Sequence, residues 1–396
     1  MNQNVIVLNC GSSSVKFAIV DAQSGHANLT GLAENMGSHD ARLSYKVAGE
    51  KHALSLPSGA SHQVALAEIQ RIIKAQPGEP IGVGHRVVHG GEKFKEAVVI
   101  TQEVKQAIAH HAIMAPLHNP ANLMGIESAE QAFPGLTHVA VFDTAFFQTM
   151  PEHAYLYALP KSLYRDHGIR RYGFHGTSHQ YVSEVASDTL NIPYENINLI
   201  TAHLGNGCSV AAIKQGQAID TSLGFTPLEG LVMGTRCGDI DPSLPSILSK
   251  QLNKSMDEID SMLNKASGLL GISEDSNDCR TLEEAALEGD ANAQLALQMF
   301  CYRLAKYIGS YLVVAGPIDG LVFTGGIGEN SSYIRTTTLA MLAHLGFTLD
   351  ENKNLDARFG NSGNISAEGT PILVIPTNEE WMIAKDTQRL TSSTGA

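Results

Sequence analysis

The chain has 396 residues, 43% of them hydrophobic and 17% charged, and a formal net charge of -13. That length favours two or more domains, each with its own core. The acidic balance excludes a nucleic-acid or anionic-membrane surface, because both need clustered Lys and Arg, so any anionic substrate must meet cations gathered at one place.

In chain order, Val5 to Leu8 form an apolar strand that enters Asn9-Cys10-Gly11-Ser12-Ser13-Ser14 and leaves through Val15 to Val20. No basic residue precedes Lys16, unlike a secretory leader. Next, Gly84-His85-Arg86-Val87-Val88-His89-Gly90-Gly91 reads as a strand that projects Arg86 and Val88 to one face and His85 and His89 to the other. A guanidinium beside a small apolar wall is the minimum needed to hold a short fatty acid. The same string also fits a surface Arg with core valines. His118 follows in the small-residue loop Ala115-Pro116-Leu117-His118-Asn119-Pro120, and the apolar strand His138 to Phe142 ends at Asp143-Thr144. A carboxylate at a strand end suits a hard cation. An aspartyl-phosphatase reading fails because Ala145 stands where a second Asp is expected.

Phe174-His175-Gly176-Thr177-Ser178 places another histidine among small residues, and Leu199 to Ala202 then runs into His203-Leu204-Gly205-Asn206-Gly207-Cys208-Ser209 and out through Val210 to Ile213. This is the opening strand, turn and strand again, too distant for a solenoid repeat and suited to a duplicated domain. Such turns expose backbone N–H groups, and two of them predict a polyphosphate gripped from two sides. None of these histidines has metal-binding spacing. Gly234-Thr235-Arg236-Cys237-Gly238 presents a second arginine in flexible backbone, suited either to a ligand or to an ion pair, and Asp241-Pro242 reads as a helix start.

From Asn292 to Val314, Leu295, Met299, Tyr302 and Ile308 recur at helical spacing, and the most apolar stretch, Tyr311 to Gly316, is cut by Pro317 well short of a membrane span. The strand Gly320 to Phe323 then enters Thr324-Gly325-Gly326-Ile327-Gly328-Glu329-Asn330. There is no GxxxxGK[ST] and no GxGxxG, so this turn fits a helix N-terminus holding an adenosine or phosphate edge, or a plain left-handed turn. Asn378 reads as the cap of a last helix with Glu379 in its first turn. The five cysteines form no CxxC pair, which predicts a reducing, cytoplasmic setting.

Asn9 to Phe17, Gly84 to Gly91, Tyr172 to His179, Leu204 to Gly207, Gly234 to Asp239 and Pro376 to Glu380 together resemble the acetate kinase family, in the right order along the chain. The resemblance implies an α/β fold of two duplicated ribonuclease-H-like domains, of the actin and hexokinase ATPase type, flanking an active-site cleft. The first domain is expected at 1–147 plus 380–396. The second, at 148–379, is expected to bind nucleotide and to form a homodimer. The implied reaction is reversible in-line transfer of the ATP γ-phosphate to acetate, giving acetyl phosphate and ADP with Mg²⁺, or Mn²⁺ in its place. Propionate kinase and a non-catalytic ATPase are the alternatives.

Carried over by motif, Asp143, His175, Arg236 and Arg86 would be catalytic, with Arg86, Val88, Leu117, Phe174 and Pro227 around the acid. Lys16, His203, Leu204, Gly205, Asn206, Gly207, Asp278, Cys279, Arg280, Gly326, Ile327, Gly328 and Asn330 would bind ATP. Asn9 and Glu379 would serve the metal, and His118, with His175 and Arg236, the phosphate or transition state. Asn9 stands where the wider fold commonly has Asp, so charge compensation would fall to Asp143 and Glu379. Replacing either Arg86 or Arg236 by Ala is expected to lower turnover by orders of magnitude and leave the fold intact.

Overall fold

Side chains in the first hairpin alternate between two cores. Ile6, Leu8, Phe17 and Ile19 pack into one, and Val5, Val7, Ala18 and Val20 into the other. That period of two, apolar on both sides, is the pattern of a strand pair covered on both faces. The computed structural model describes residues 3–116 and 118–393. The chain falls into two compact units, Met1–Phe146 with Asn378–Ala396, and Phe147–Thr377.

The sheet of the first unit is built from β1 (Asn4–Cys10), β2 (Val15–Asp21), β3 (Ala27–Glu34), β4 (Arg42–Val47), β5 (Glu50–Ser55), β6 (Gly82–Val87), β7 (Val98–Val99) and β8 (Thr137–Phe142). Their order is β5-β4-β3-β2-β1-β6-β8-β7, an antiparallel meander from β5 to β1 followed by β6 and β8 parallel to β1. Helices His62–Lys74 and Asn119–Ala132 cover one face through Leu66, Ile69 and Ala129. The chain's last helix, Glu379–Ser393, returns to cover the other through Ile383 and Ala384. It lies close because β6 is bare there: a Cβ on Gly84 would collide with Ile383 and Thr387.

The second unit contains β9 (Leu199–Leu204), β10 (Cys208–Lys214), β11 (Gln217–Thr221), β12 (Gly320–Thr324), β13 (Phe347–Leu349), β14 (Gly363–Asn364), β15 (Ser366–Gly369) and β16 (Ile372–Val374). Its main sheet runs β11-β10-β9-β12-β16-β14, with β13 and β15 paired apart. Here too an antiparallel trio, β11-β10-β9, is followed by two strands parallel to its last member. The order β3-β2-β1-β6-β8 is thus repeated as β11-β10-β9-β12-β16, and the ribonuclease-H-like core is duplicated.

Three local readings change. The strand at Gly84 stops at Val87, because Asn122 and Asn119 capture the N–H groups of Val88 and His89 (both 3.1 Å), so Arg86 and Val88 do not share a strand face. Asp241 precedes the helix Leu244–Leu252 and accepts from the Ser243 N–H at 2.8 Å, capping a turn rather than the helix itself. In the helix Ala291–Ala315 the core face is Ala296, Leu297, Phe300, Leu304 and Ile308, while Leu295, Met299 and Tyr302 are exposed. The periodic residues picked from sequence lie largely on a second, outward apolar stripe. Among the described residues, no helix is long and apolar enough to cross a membrane.

Candidate active site

In the first unit the parallel register of β6 and β8 sets Val87 beside Phe142, which brings Arg86 to the carboxylate just beyond β8. The guanidinium forks onto Asp143, Nε to Oδ1 at 3.0 Å and Nη2 to Oδ2 at 2.6 Å, and Asp143 is buried. Burial works against the Arg86 charge, but Asp143 and then Glu379 more than reverse it and raise its pKa. Asn9, Lys16, Arg86, Glu379 and Glu380 line one recess of about 30 Å³. That is room for a water or a bare ion and far too little for a nucleotide. Lys16 pairs with Glu380 there.

Glu379 Oε1 is buried and has no hydrogen-bond partner among the described residues. Burial pushes its carboxyl above the usual range even though Arg86 opposes the shift. An orphaned carboxylate oxygen beside the side-chain amide of Asn9 is a donor set for a hard cation. No cluster of three or more His, Cys, Asp or Glu suited to a metal occurs among the described residues. One carboxylate and one side-chain amide match what Mg²⁺ takes from a protein, since it binds one or two carboxylates and keeps its other positions for water and phosphate. Val88 is buried, His118 stands at the N-cap of Asn119–Ala132, and Leu117 lies outside the described residues. Asn119 and Asn122, which fasten the loop after β6 and reach the carbonyls of His89 and Cys10, went unnoticed in the sequence. The only hint was that Asn119-Pro120 opens a helix.

In the second unit the β9–β10 turn, Gly205 to Gly207, lies under two side chains. A Cβ placed on Gly207 would stand 3.3 Å from Arg236 Nη1 and 3.4 Å from His175 Nε2. His175 holds a left-handed backbone (φ 61°) just before the helix Gly176–Leu190, a conformation that costs a non-glycine residue energy and often marks function. Its Nδ1 is 2.9 Å from Ser209 Oγ, and its ring stacks on His203 with centroids 4.3 Å apart. His203 Nδ1 is bonded to Ser178 Oγ at 2.8 Å, which in turn meets Thr377 Oγ1.

Arg236 Nη1 donates to the carbonyl of Pro227 at 3.1 Å. Among the described residues no carboxylate pairs with it, and burial lowers its pKa. A partly desolvated guanidinium beside a glycine turn suits an anionic group. The loop that carries it is pinned at both ends. Arg171 and Tyr157 hold Glu229 at 2.5 Å each, and Asp239 accepts from the Gly230 N–H and from Tyr307.

Beside the same turn a cavity of about 480 Å³ is lined by Gly205, Asn206, Asp278, Cys279, Arg280, Gly326, Ile327 and Asn330, and also by Asn277, Glu283, Ser331, Arg358 and Phe359, which sequence reasoning missed. Its size suits a nucleotide. Asp278 caps the helix Cys279–Leu287, and burial raises the Cys279 thiol. Leu204 and Gly328 are buried behind this wall rather than on it, and Phe174 is buried while Pro227 is partly exposed. Lys16 belongs to the first unit's recess, not to this cavity.

Two buried histidines make stability depend on pH. Burial, then His138, drives His85 well below its ordinary value of 6.5, and burial, then His203, does the same to His179. The unfolded chain binds their protons first. Their contribution is therefore complete above about pH 6.5 and is lost as pH falls, at up to about 1.4 kcal/mol per unit for each. Glu379 acts with the opposite sign, stabilising below its unfolded value near 4.5 and not above its raised folded one. Denaturant unfolding between pH 7.5 and 5.5 should show this decline, and His85→Gln should flatten it. Equal stability across that range would contradict it.

A duplicated α/β core with a nucleotide-sized cavity beside a glycine turn, and with cations fixed in each unit, defines an ATP-dependent phosphotransferase. Residues 4–385 match the acetokinase family, and the chain belongs to it. It is 56% identical over 394 residues to the acetate kinase of Shewanella amazonensis, spanning 98% of this chain and 99% of that one. Among solved structures it is similar to a propionate kinase from Francisella tularensis (TM-score 0.94, 45% identity, 98% of this chain and 100% of the other). It is similar also to the acetate kinase of Porphyromonas gingivalis (TM-score 0.92, 44% identity, 98% and 99%).

Proposed function

We propose that the chain transfers the γ-phosphoryl group of ATP reversibly to acetate, forming acetyl phosphate and ADP. The observation that carries this reading is Arg236, a half-buried cation with no carboxylate beside it among the described residues, placed with His175 over the turn that borders the nucleotide cavity. The second unit's cavity takes ATP, with Arg236, His175 and His203 toward the phosphoryl oxygens. The first unit's Arg86 takes the acid's carboxylate, Val88 and Leu117 wall its methyl group together with Phe174 and Pro227, and His118 contacts phosphate. Bringing a carboxylate to about 3.5 Å from a phosphoryl charge costs roughly 5 kcal/mol per unit-charge pair at an effective dielectric of about 20. The arginines offset that cost. A carboxylate is already ionised at neutral pH, so it attacks in line without a general base, and catalysis consists of positioning and charge stabilisation. Asn9 and Glu379 would hold Mg²⁺, which when bound neutralises phosphate oxygens.

The solved relatives include a propionate kinase, so chain length needs its own test. One methylene in an apolar pocket is worth about 1–3 kcal/mol. Acyl phosphate trapped with hydroxylamine from acetate, propionate and butyrate should rank acetate first and butyrate last, and Val88→Ala should shift the ratio toward propionate by roughly tenfold. Propionate ahead of acetate would make the chain a propionate kinase. No hydroxamate from any acid would remove the kinase reading.

Two further assignments go with this reading. The exposed Leu295, Met299, Tyr302 and Val313 on one helix of the second unit form an apolar stripe that a second copy of the chain would cover, giving a homodimer. The five free cysteines suit a reducing cytoplasm.

A further inference from the structure

Behind His175 runs a chain of hydrogen bonds that the transfer reaction does not itself require. Thr201 Oγ1 lies 2.6 Å from His179 Nδ1, His179 Nε2 lies 2.7 Å from Ser209 Oγ, and Ser209 Oγ lies 2.9 Å from His175 Nδ1. Thr201, His179 and Ser209 are fully buried. Each link has one proton to place, and the count can be closed in one direction. The Thr201 hydroxyl has no other partner among the described residues, so its proton goes to His179 Nδ1. A neutral His179 then carries its proton on Nε2 and donates to Ser209, whose own proton goes to His175 Nδ1. His175 is left with its N–H on Nε2. The reverse order would strand the Thr201 hydroxyl proton in the core without an acceptor, which the buried setting penalises. The order requires His179 to be neutral, and burial, followed by His203, holds its pKa well below the ordinary value.

We propose that Thr201, His179 and Ser209 are positioning residues that lock His175 as its neutral Nε2–H tautomer, so that the ring donates to the transferring phosphoryl group without being protonated. This rests on the reading that His175 faces that group. Its Nε2 and Arg236 Nη1 converge on Gly207, so two donors meet where the phosphoryl oxygens would sit. A second proton on His175 would have to enter at Nδ1, where Ser209 already donates. The groups facing the ring reinforce this. His203 stacks on it from β9 and Arg236 Nη1 approaches from its loop, and a cation beside the ring resists a further positive charge. The donor is therefore available across neutral and alkaline pH.

The test is side-chain ¹⁵N NMR of the whole protein labelled at histidine, with the His175 signals assigned by their loss in His175→Asn. The expected spectrum has a bare Nδ1 and a protonated Nε2, unchanged from pH 6 to 9. Ser209→Ala should mix the tautomers and lower kcat by about 10- to 100-fold, with both KM values within about twofold and activity now rising toward acid pH as the ring protonates. Ser209→Thr should restore both spectrum and rate. Should Ser209→Ala fail to fold, Thr201→Val should give the same spectral change with a smaller loss of kcat. A protonated Nδ1 in the wild type, or a Ser209→Ala variant with an unchanged tautomer, would overturn the relay alone. An undiminished kcat in His175→Asn would overturn the underlying reading of His175, and the relay's catalytic meaning with it.

Discussion

Arg236→Ala should reduce turnover by about three orders of magnitude or more, because a guanidinium aimed at a transferring phosphoryl group is worth about 10³–10⁵ in rate. The variant should fold as well as the parent. Among the described residues the guanidinium has no carboxylate to leave behind, its acceptors being the carbonyl of Pro227 and the Met233 sulfur, and its partial desolvation opposes its charge. The loop that presents it is held elsewhere, through Glu229 and Asp239. Matching melting curves with a collapsed kcat is the expected outcome. Arg236→Lys should recover little, since an ammonium cannot reproduce the planar fork. Near-parental turnover in Arg236→Ala would remove Arg236 from the reaction.

Asp143→Ala should behave differently and lose stability as well as activity. It deletes both acceptors of the Arg86 fork in a buried setting, and removing one partner of such a pair costs about 3–5 kcal/mol. Arg86→Ala should not spare the fold either, contrary to the expectation from sequence. It leaves Asp143 and Glu379 as neighbouring carboxylates without the cation that holds them together, and Glu379 is already raised. Because the two residues share one interaction, the double variant Arg86→Ala/Asp143→Ala should regain part of the lost stability and none of the activity. Denaturant unfolding with a parallel rate assay checks all three. An Asp143→Ala variant as stable as the parent would show that the pair carries no stabilisation.

What could be read in the chain follows from how local each signal is. The turns at Gly11 and Gly205 and the duplicated order of strands are legible because a strand pair joined by a short glycine turn is written in consecutive residues. The Arg86–Asp143 fork is not, since the two stand 57 positions apart and meet only through the register of β6 with β8. Asn119 and Asn122 end that strand from a helix well downstream, and no local pattern announces it. The helix Ala291–Ala315 misleads for another reason: it is apolar on two faces, so periodicity alone cannot say which one meets the sheet. Ser209 and His179 look like ordinary small and core residues until β10 and the helix Gly176–Leu190 bring them together.

The central claim is that a carboxylate, and not water, receives the phosphoryl group. The most direct measurement is ³¹P NMR of the protein with ATP, Mg²⁺ and acetate. The account predicts acetyl phosphate and ADP appearing in equal amounts, only when acetate is present, and about a thousandfold or more slower with Arg236→Ala. Inorganic phosphate released at the same rate with or without acetate, and no acyl phosphate signal, would contradict it.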